Sequence, residues 1–437
     1  MVNQTPINNS SSSNFKRKFN ATYYYAKNHS NYNVPTPQEY ELHKLLSNPN
    51  RGFLDVIMSV SPNDIAQGNV AKCWNKINQS RYERGRICCS ISGGSDSDVL
   101  LDMTRRCDPE RKIYYYFIDT GLESAYTKAH LDYLQLKYQV KIHRFKAKTP
   151  IPLAISQNGI PFLSKQVSEF IMRLQNYGFE FDDTDDLEFL LGKYCKKADS
   201  GTKADIIKKI QANKKVKWFE FNGDYYKGCC SALKWWCCAW GDENRKSKFD
   251  ITYNKYLKEF LIQENGVPFK VANKCCKLSK KDTIHQVTEM LNPQLSIQGV
   301  RKAEGGARSS AYKSCFNDAS SHPYDEYRPL FWFLDKDKKD YVEYCGIKHS
   351  KLYDYMKRSG CLGCPFGQDN AVELNYAAEC EPQMYKAMKF IFGPSYEFER
   401  KYHEFQKKMN LKEATAKKLL ELQNCEFTQM SIFDFAS

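Results

Sequence analysis

The chain has 437 residues, is 42% hydrophobic and carries a formal net charge of +14, which excludes a disordered protein and leaves room for two or three domains with their own cores. No stretch approaches the about eighteen consecutive apolar residues of a membrane span, and the opening MVNQTPINNSSSSNFKRKF lacks an apolar signal core, so the sequence reads as a cytoplasmic protein with no membrane partner. Seventeen cysteines in that setting point to thiol or metal chemistry rather than a disulfide framework, and the positive charge favours an anionic partner.

In chain order, residues 1–36 are rich in Asn, Ser and Tyr without periodicity and read as a flexible tail. Residues 37–179 open with apolar spacing (Tyr40, Leu42, Leu45, Leu46, Phe53, Val56, Ile57) that suggests short helices. They continue with an apolar run from Ile87 to Ile91, the turn SGGSDS and the helical pattern DVLLDMTRRC. The run IYYYFIDTG, the helical stretch ESAYTKAHLDYLQLKY and the strand pattern KIHRFKAK follow. Alternating strand, helix, strand, helix, strand predicts an α/β fold, a doubly wound parallel sheet with right-handed crossovers. Residues 180–262 break the rhythm with an acidic patch, a lysine-rich stretch and GCCSALKWWCCAW, and read as an inserted helical subdomain. Residues 263–378 are dense in Cys, Arg and Gly, and residues 379–437 are mostly helical, with a tail.

The turn Ser92, Gly93, Gly94, Ser95, Asp96, Ser97 lies between a strand and a helix start, where glycines admit an anion closely and the helix N-terminus is electropositive. It lacks the lysine and Ser/Thr ending of a Walker loop, which suits a grip on pyrophosphate rather than γ-phosphate transfer. Asp119, Thr120 and Gly121 close the next strand, and ligands of such sheets sit beyond the carboxyl ends of the strands. Arg301 and Arg308 flank the glycines of GVRKAEGGAR, and two guanidinium groups can clamp a phosphate. Cys275 and Cys276, followed by Cys361 and Cys364 in GCLGCPFG, supply four thiolates at a spacing that serves either a structural zinc or an iron–sulfur cluster. Cys315 in YKSCF is a further candidate ligand, which would release one of the tandem cysteines as a thiol. Cys229, Cys230, Cys237 and Cys238 offer a second metal set, although Trp235 and Trp236 between them suit a buried helix equally well.

SGGSDS, FIDTG, CCKLSKK, GVRKAEGGAR and RPLFWFLDKDKKDYVEYCGIKHSKLYDYMKRSGCLGCPFG, in that order, resemble the phosphoadenosine phosphosulfate reductase family of the PP-loop, adenine nucleotide α-hydrolase-like superfamily. The resemblance implies a nucleotide site with Ser92 to Ser97 around the phosphates and Asp119 to Gly121 near ribose or adenine. It also implies a four-iron four-sulfur cluster on the tandem Cys and the C-x-x-C pair. Two features depart from true sulfonucleotide reductases. The tail offers only Cys380 and Cys425 and no ECG-type cysteine motif, and the SGG opening is typical of ATP pyrophosphatases. Those enzymes often carry lysine where this chain has Ser95, so Arg301 or Arg308 is expected to supply the charge.

The expected activity is therefore attack on ATP at the α-phosphate, adenylating a substrate with Mg²⁺ offsetting charge on the pyrophosphate, coupled to sulfur transfer. Asp96, Ser97, Arg301 and Arg308 are its candidate catalytic residues, and DNA or RNA is an acceptor that the charge favours. The alternatives are thiol-dependent reduction of adenylylsulfate or its 3′-phosphate to sulfite, and a nucleotide-sensing protein that binds nucleic acid. Gln429 to Phe433, QMSIF, resembles the extended peptide by which bacterial proteins dock on the DNA sliding clamp.

Overall fold

The structure is a computed structural model that describes residues 52–58, 63–197, 224–241, 247–305, 312–320, 323–357, 359–367 and 370–433, with the isolated positions 201, 204 and 208. The flexible tail expected at 1–36, Arg308 and most of the lysine-rich stretch lie outside these residues. The described residues form two compact units, those within 1–151, 276–363 and 369–387 making the first and those within 152–275, 364–368 and 388–437 the second.

The first unit begins with two helices, α1 (Phe53–Met58) and α2 (Asp64–Ile77). Then follow β1 (Ile87–Ser90), α3 (Ser95–Arg106), β2 (Ile113–Asp119), α4 (Ala125–Tyr138) and β3 (Ile142–Lys146). The alternation expected from the sequence is present, and its strands are parallel. Ile87, Cys88 and Cys89 are all buried, the continuous apolar run of a strand covered on both faces. Burial pushes the Cys88 thiol up to about 12, so the β1 cysteines are packing groups rather than reactive thiols.

After the second unit the chain returns to the sheet through α10 (Asp282–Leu291; α5 to α9 lie in the second unit, below) and β6 (Leu295–Ile297). Then come β7 (Phe316–Asn317) and β8 (Asp325–Tyr327), and last α11 (Asp335–Tyr344) and α12 (Asn370–Cys380). Among the described residues the sheet has six strands in the order β3-β2-β1-β6-β8-β7, all parallel except the β7–β8 pair. Chain order runs outward from β1 to β2 and β3 on one side and resumes at β6 on the other. The end of β1 is thus a topological switch point, where crossovers leave a crevice. Ile87, Cys89, Val99, Leu100, Phe117, Leu131, Leu295 and Ile297 belong to the core around the sheet.

The second unit contains α5 (Ile151–Asn158), α6 (Lys165–Asn176) and α7 (Leu187–Tyr194). Ser164 caps α6 by accepting from the Val167 N–H, and Asp186 caps α7 by accepting from Phe189. A short antiparallel pair, β4 (Lys196–Lys197) with β5 (Tyr225–Lys227), leads to α8 (Cys230–Trp236), then α9 (Leu257–Gln263). Phe162, Leu174, Trp235, Trp236, Phe260 and Phe398 fill its core. The last helix, α13, runs from Pro382 to Phe433. Gln429 to Phe433 therefore continue a helical backbone instead of the extended peptide expected there, because helical hydrogen bonding propagates once started. No described helix is long and apolar enough to cross a membrane.

Candidate functional site

β1 ends at Ser90, and the backbone must reverse into α3 within four residues. Gly93 does so at φ +72°, where a side chain would be strained and its Cβ would stand 3.0 Å from Thr127 Cγ2. Gly94 has ordinary extended torsions, but a Cβ there would meet Ser359 Oγ at 2.6 Å. Glycine is needed at the second position for room rather than for torsion. Ser97 Oγ donates to the Gly94 carbonyl at 2.8 Å, closing the first turn, and the Ser95 N–H donates to the Tyr353 hydroxyl at 2.8 Å.

The first turn of α3 carries two carboxylates with different surroundings. Asp98 is fully buried and bridges two imidazoles, with Oδ1 2.9 Å from His130 Nε2 and Oδ2 2.7 Å from His349 Nδ1. Burial alone would raise its carboxyl, but the two histidines outweigh it and hold the group below the usual carboxylate range. Asp96 accepts from Arg301 Nε at 2.9 Å and pairs with Lys338 Nζ at 2.7 Å. Burial again opposes ionisation, and Lys338 and Arg301 prevail, so this carboxyl too is held low. Arg301 follows β6, the neighbour of β1, and also pairs with Asp335 at 2.8 Å. Lys338 comes from α11, whose start is fixed by Asp337 accepting from the Leu334 N–H at 2.9 Å, and its Nζ lies 2.6 Å from Ser95 Oγ.

At the end of β2, Asp119 Oδ1 accepts from the Gly121 N–H at 3.0 Å, and the Thr120 hydroxyl donates to Glu123 at 2.7 Å. Burial raises the Glu123 carboxyl, against the Thr120 hydrogen bonds and Lys280. Cys361 arrives at the same place: its Sγ lies 3.4 Å from Thr120 Oγ1, and the Leu362 N–H donates to the Leu122 carbonyl at 2.9 Å.

Of the residues singled out in the sequence, the structure gathers the loop, Arg301, the Asp119–Gly121 turn and Cys361 at the carboxyl ends of three adjacent strands. Cys275 and Cys276 are consecutive in the chain ahead of α10, and Cys364 follows Cys361 by three residues. Cys315 is not brought to Cys361. It precedes β7, four strands from β2, a lateral offset of roughly 19 Å at about 4.8 Å per strand. The second cysteine set is also parted, because Cys229 and Cys237 flank the two ends of the seven-residue α8; Cys230 instead meets Cys195, Sγ to Sγ 3.4 Å. Among the described residues no group of three or more His, Cys, Asp or Glu side chains is arranged to hold a metal ion. Sequence reasoning missed Lys338, His130, His349 and Tyr353. Only the stretch DKDKKDYVEYCGIKHSKLYDY, noted as part of the resemblance, pointed toward three of them.

Residues 86–187 match the model of the phosphoadenosine phosphosulfate reductase domain, and no curated protein matches the chain. Among solved structures the chain is similar to a phosphoadenylyl-sulfate (PAPS) reductase from Candida auris in a phosphate complex. Identity is 13%, covering 75% of this chain and 96% of that one, with a TM-score of 0.30. It is also similar to the FMN adenylyltransferase of Candida glabrata in complex with ATP, at 10% identity over 73% of this chain and 68% of that one, TM-score 0.32. A third is the U34-tRNA thiolase NcsA from Methanococcus maripaludis with its 4Fe-4S cluster, at 9% identity over 77% and 79%, TM-score 0.29. These likenesses are distant. The likeness to the phosphoadenosine phosphosulfate reductase domain covers residues 86–187, the segment that carries β1 to β3 and the glycine loop.

Proposed function

We propose that the chain is a nucleotide-using enzyme of sulfur metabolism that binds ATP in the crevice at the end of β1, adenylates a substrate and couples that step to sulfur transfer. The observation that carries this reading is the Ser92–Ser97 turn at the switch point, with Arg301 and Lys338 converging on its Asp96. In the proposed step an acceptor oxygen attacks the α-phosphorus, a new P–O bond forms, and the bond to the β-phosphate breaks with its electron pair leaving on pyrophosphate. The helix N-terminus and the cations around Asp96 stabilise that developing charge in place, at no reorganisation cost. Bound Mg²⁺ would offset the charge of the leaving group. A sulfur nucleophile then displaces AMP from the adenylated substrate, and the net charge of +14 makes a nucleic acid an acceptor of suitable sign.

A second reading has one observation in its favour. Cys361 Sγ lies against Thr120 at the neighbouring strand end, where its thiolate could attack the sulfur of a sulfonucleotide, displacing the nucleotide and forming an S-sulfocysteine from which a second thiol releases sulfite as a disulfide forms. The two are separated by supplying the anaerobically purified protein with ATP and candidate acceptors, or with adenylylsulfate and a thiol donor. The adenylation reading expects AMP and pyrophosphate from ATP, abolished in Asp96→Ala/Ser97→Ala. Unchanged pyrophosphate release in that double variant sinks it, and sulfite from the sulfonucleotide without ATP turnover selects the reduction.

A further inference from the structure

Between Ser92 and Asp98 the loop holds two carboxylates and no cation. A phosphate chain would add further negative charge to the same helix turn, so the balance has to come from elsewhere in the fold. His130 and His349 are committed to Asp98. Arg301 is held by Asp96 and Asp335 and reaches the Phe333 carbonyl at 3.5 Å, a guanidinium fixed on several sides. Lys338 is placed differently. Its ammonium stands 2.6 Å from Ser95 Oγ and 2.7 Å from Asp96 Oδ1, and its side chain is only 18% exposed.

Ser95 is the first residue of α3, and its N–H and hydroxyl are engaged by Tyr353 and Lys338 respectively. The lysine thus stands where the electropositive end of the helix opens. An ammonium carries three donors, of which Ser95 and Asp96 take two. Confining a lysine side chain sacrifices most of its rotamer freedom, and the capped start of α11 sets where its stem begins.

We propose that Lys338 is the phosphate-binding cation of this loop, delivered from α11 instead of from the loop itself, with Ser95 and Asp96 holding it in register for the nucleotide's phosphates. This rests on the nucleotide reading given above and adds to it the residue that directly touches the leaving group.

The test is calorimetric titration of full-length protein with ATP and with inorganic pyrophosphate, for the unmodified chain, Lys338→Met, Lys338→Arg and the relocation variant Lys338→Met/Ser95→Lys. Loss of one charge-assisted contact to phosphate weakens binding about 10- to 100-fold in Lys338→Met. Lys338→Arg should keep part of the affinity, and the relocation variant should recover most of it by returning a cation to the mouth of α3. Recovery distinguishes a phosphate contact from a merely structural lysine, because Ser95→Lys cannot restore the link between α11 and the loop. Lys338→Met binding like the unmodified chain overturns the proposal and leaves the nucleotide reading standing, as does weakened binding that relocation fails to restore. An unmodified chain that binds neither ATP nor pyrophosphate overturns the nucleotide reading itself. Should Lys338→Met fold poorly by thermal melt, Lys338→Gln takes its place under the same criteria.

Discussion

Replacing Asp98 by Asn keeps the shape of the side chain and removes its charge from a fully buried position between two imidazoles. A hydrogen bond to an ionised group contributes about 1 kcal/mol more than one between neutral groups. With two such bonds, at 2.9 and 2.7 Å, the variant should lose about 2 kcal/mol. For a domain of this size that lowers the unfolding midpoint by roughly 4–8 °C. The pH dependence has a definite sign. The folded carboxyl is held below its ordinary value, so its stabilisation is fully present above the unfolded value of about 3.9 and is lost as pH falls through the lowered folded one. Thermal unfolding followed by circular dichroism into acid should show the gap between native protein and variant closing as pH falls below about 4. Equal midpoints at neutral pH, or a gap that persists unchanged in acid, would refute the reasoning.

Two further outcomes follow from packing. Gly93→Ala forces a side chain into φ +72° with Thr127 Cγ2 at 3.0 Å, costing about 1–2 kcal/mol of stability from the torsion alone, measurable by denaturant titration. ATP titration of the same variant should show weakened binding. In the second unit Trp235 is fully buried, with its ring centroid 5.4 Å from that of Phe170; Trp235→Ala should cost about 3–5 kcal/mol. A midpoint shift smaller than that of an exposed control such as Tyr253→Ala would contradict the core placement, since Tyr253 is 70% exposed.

The strand and helix rhythm of residues 86–148 was legible because β1 and β2 are apolar runs, β3 alternates apolar and polar residues, and each helix starts just after a turn signal. The Ser92–Ser97 turn was legible as a strand-to-helix junction because glycine and hydroxyl residues cluster there between an apolar run and a helical pattern. Arg301 was visible as an arginine beside glycines. Lys338 was not: it lies 243 positions from Ser95, inside a DKDKK run indistinguishable by composition from a solvated helix face. His130 and His349 were equally silent, since their shared partner Asp98 is 32 and 251 residues away in sequence. Cys315 looked like a ligand through its place between the two cysteine pairs, but strand order puts it at the far edge of the sheet. QMSIF is a short motif read as an extended peptide, and its backbone here continues the preceding helix.

The most direct measurement of the central claim is a crystal structure of the protein with ATP and Mg²⁺ bound. The account predicts the phosphates within hydrogen-bonding distance of the Ser92–Ser97 backbone and of Lys338, with the Tyr353 hydroxyl displaced from the Ser95 N–H. Phosphates seated elsewhere, with the Tyr353 contact intact and the loop empty, would contradict it.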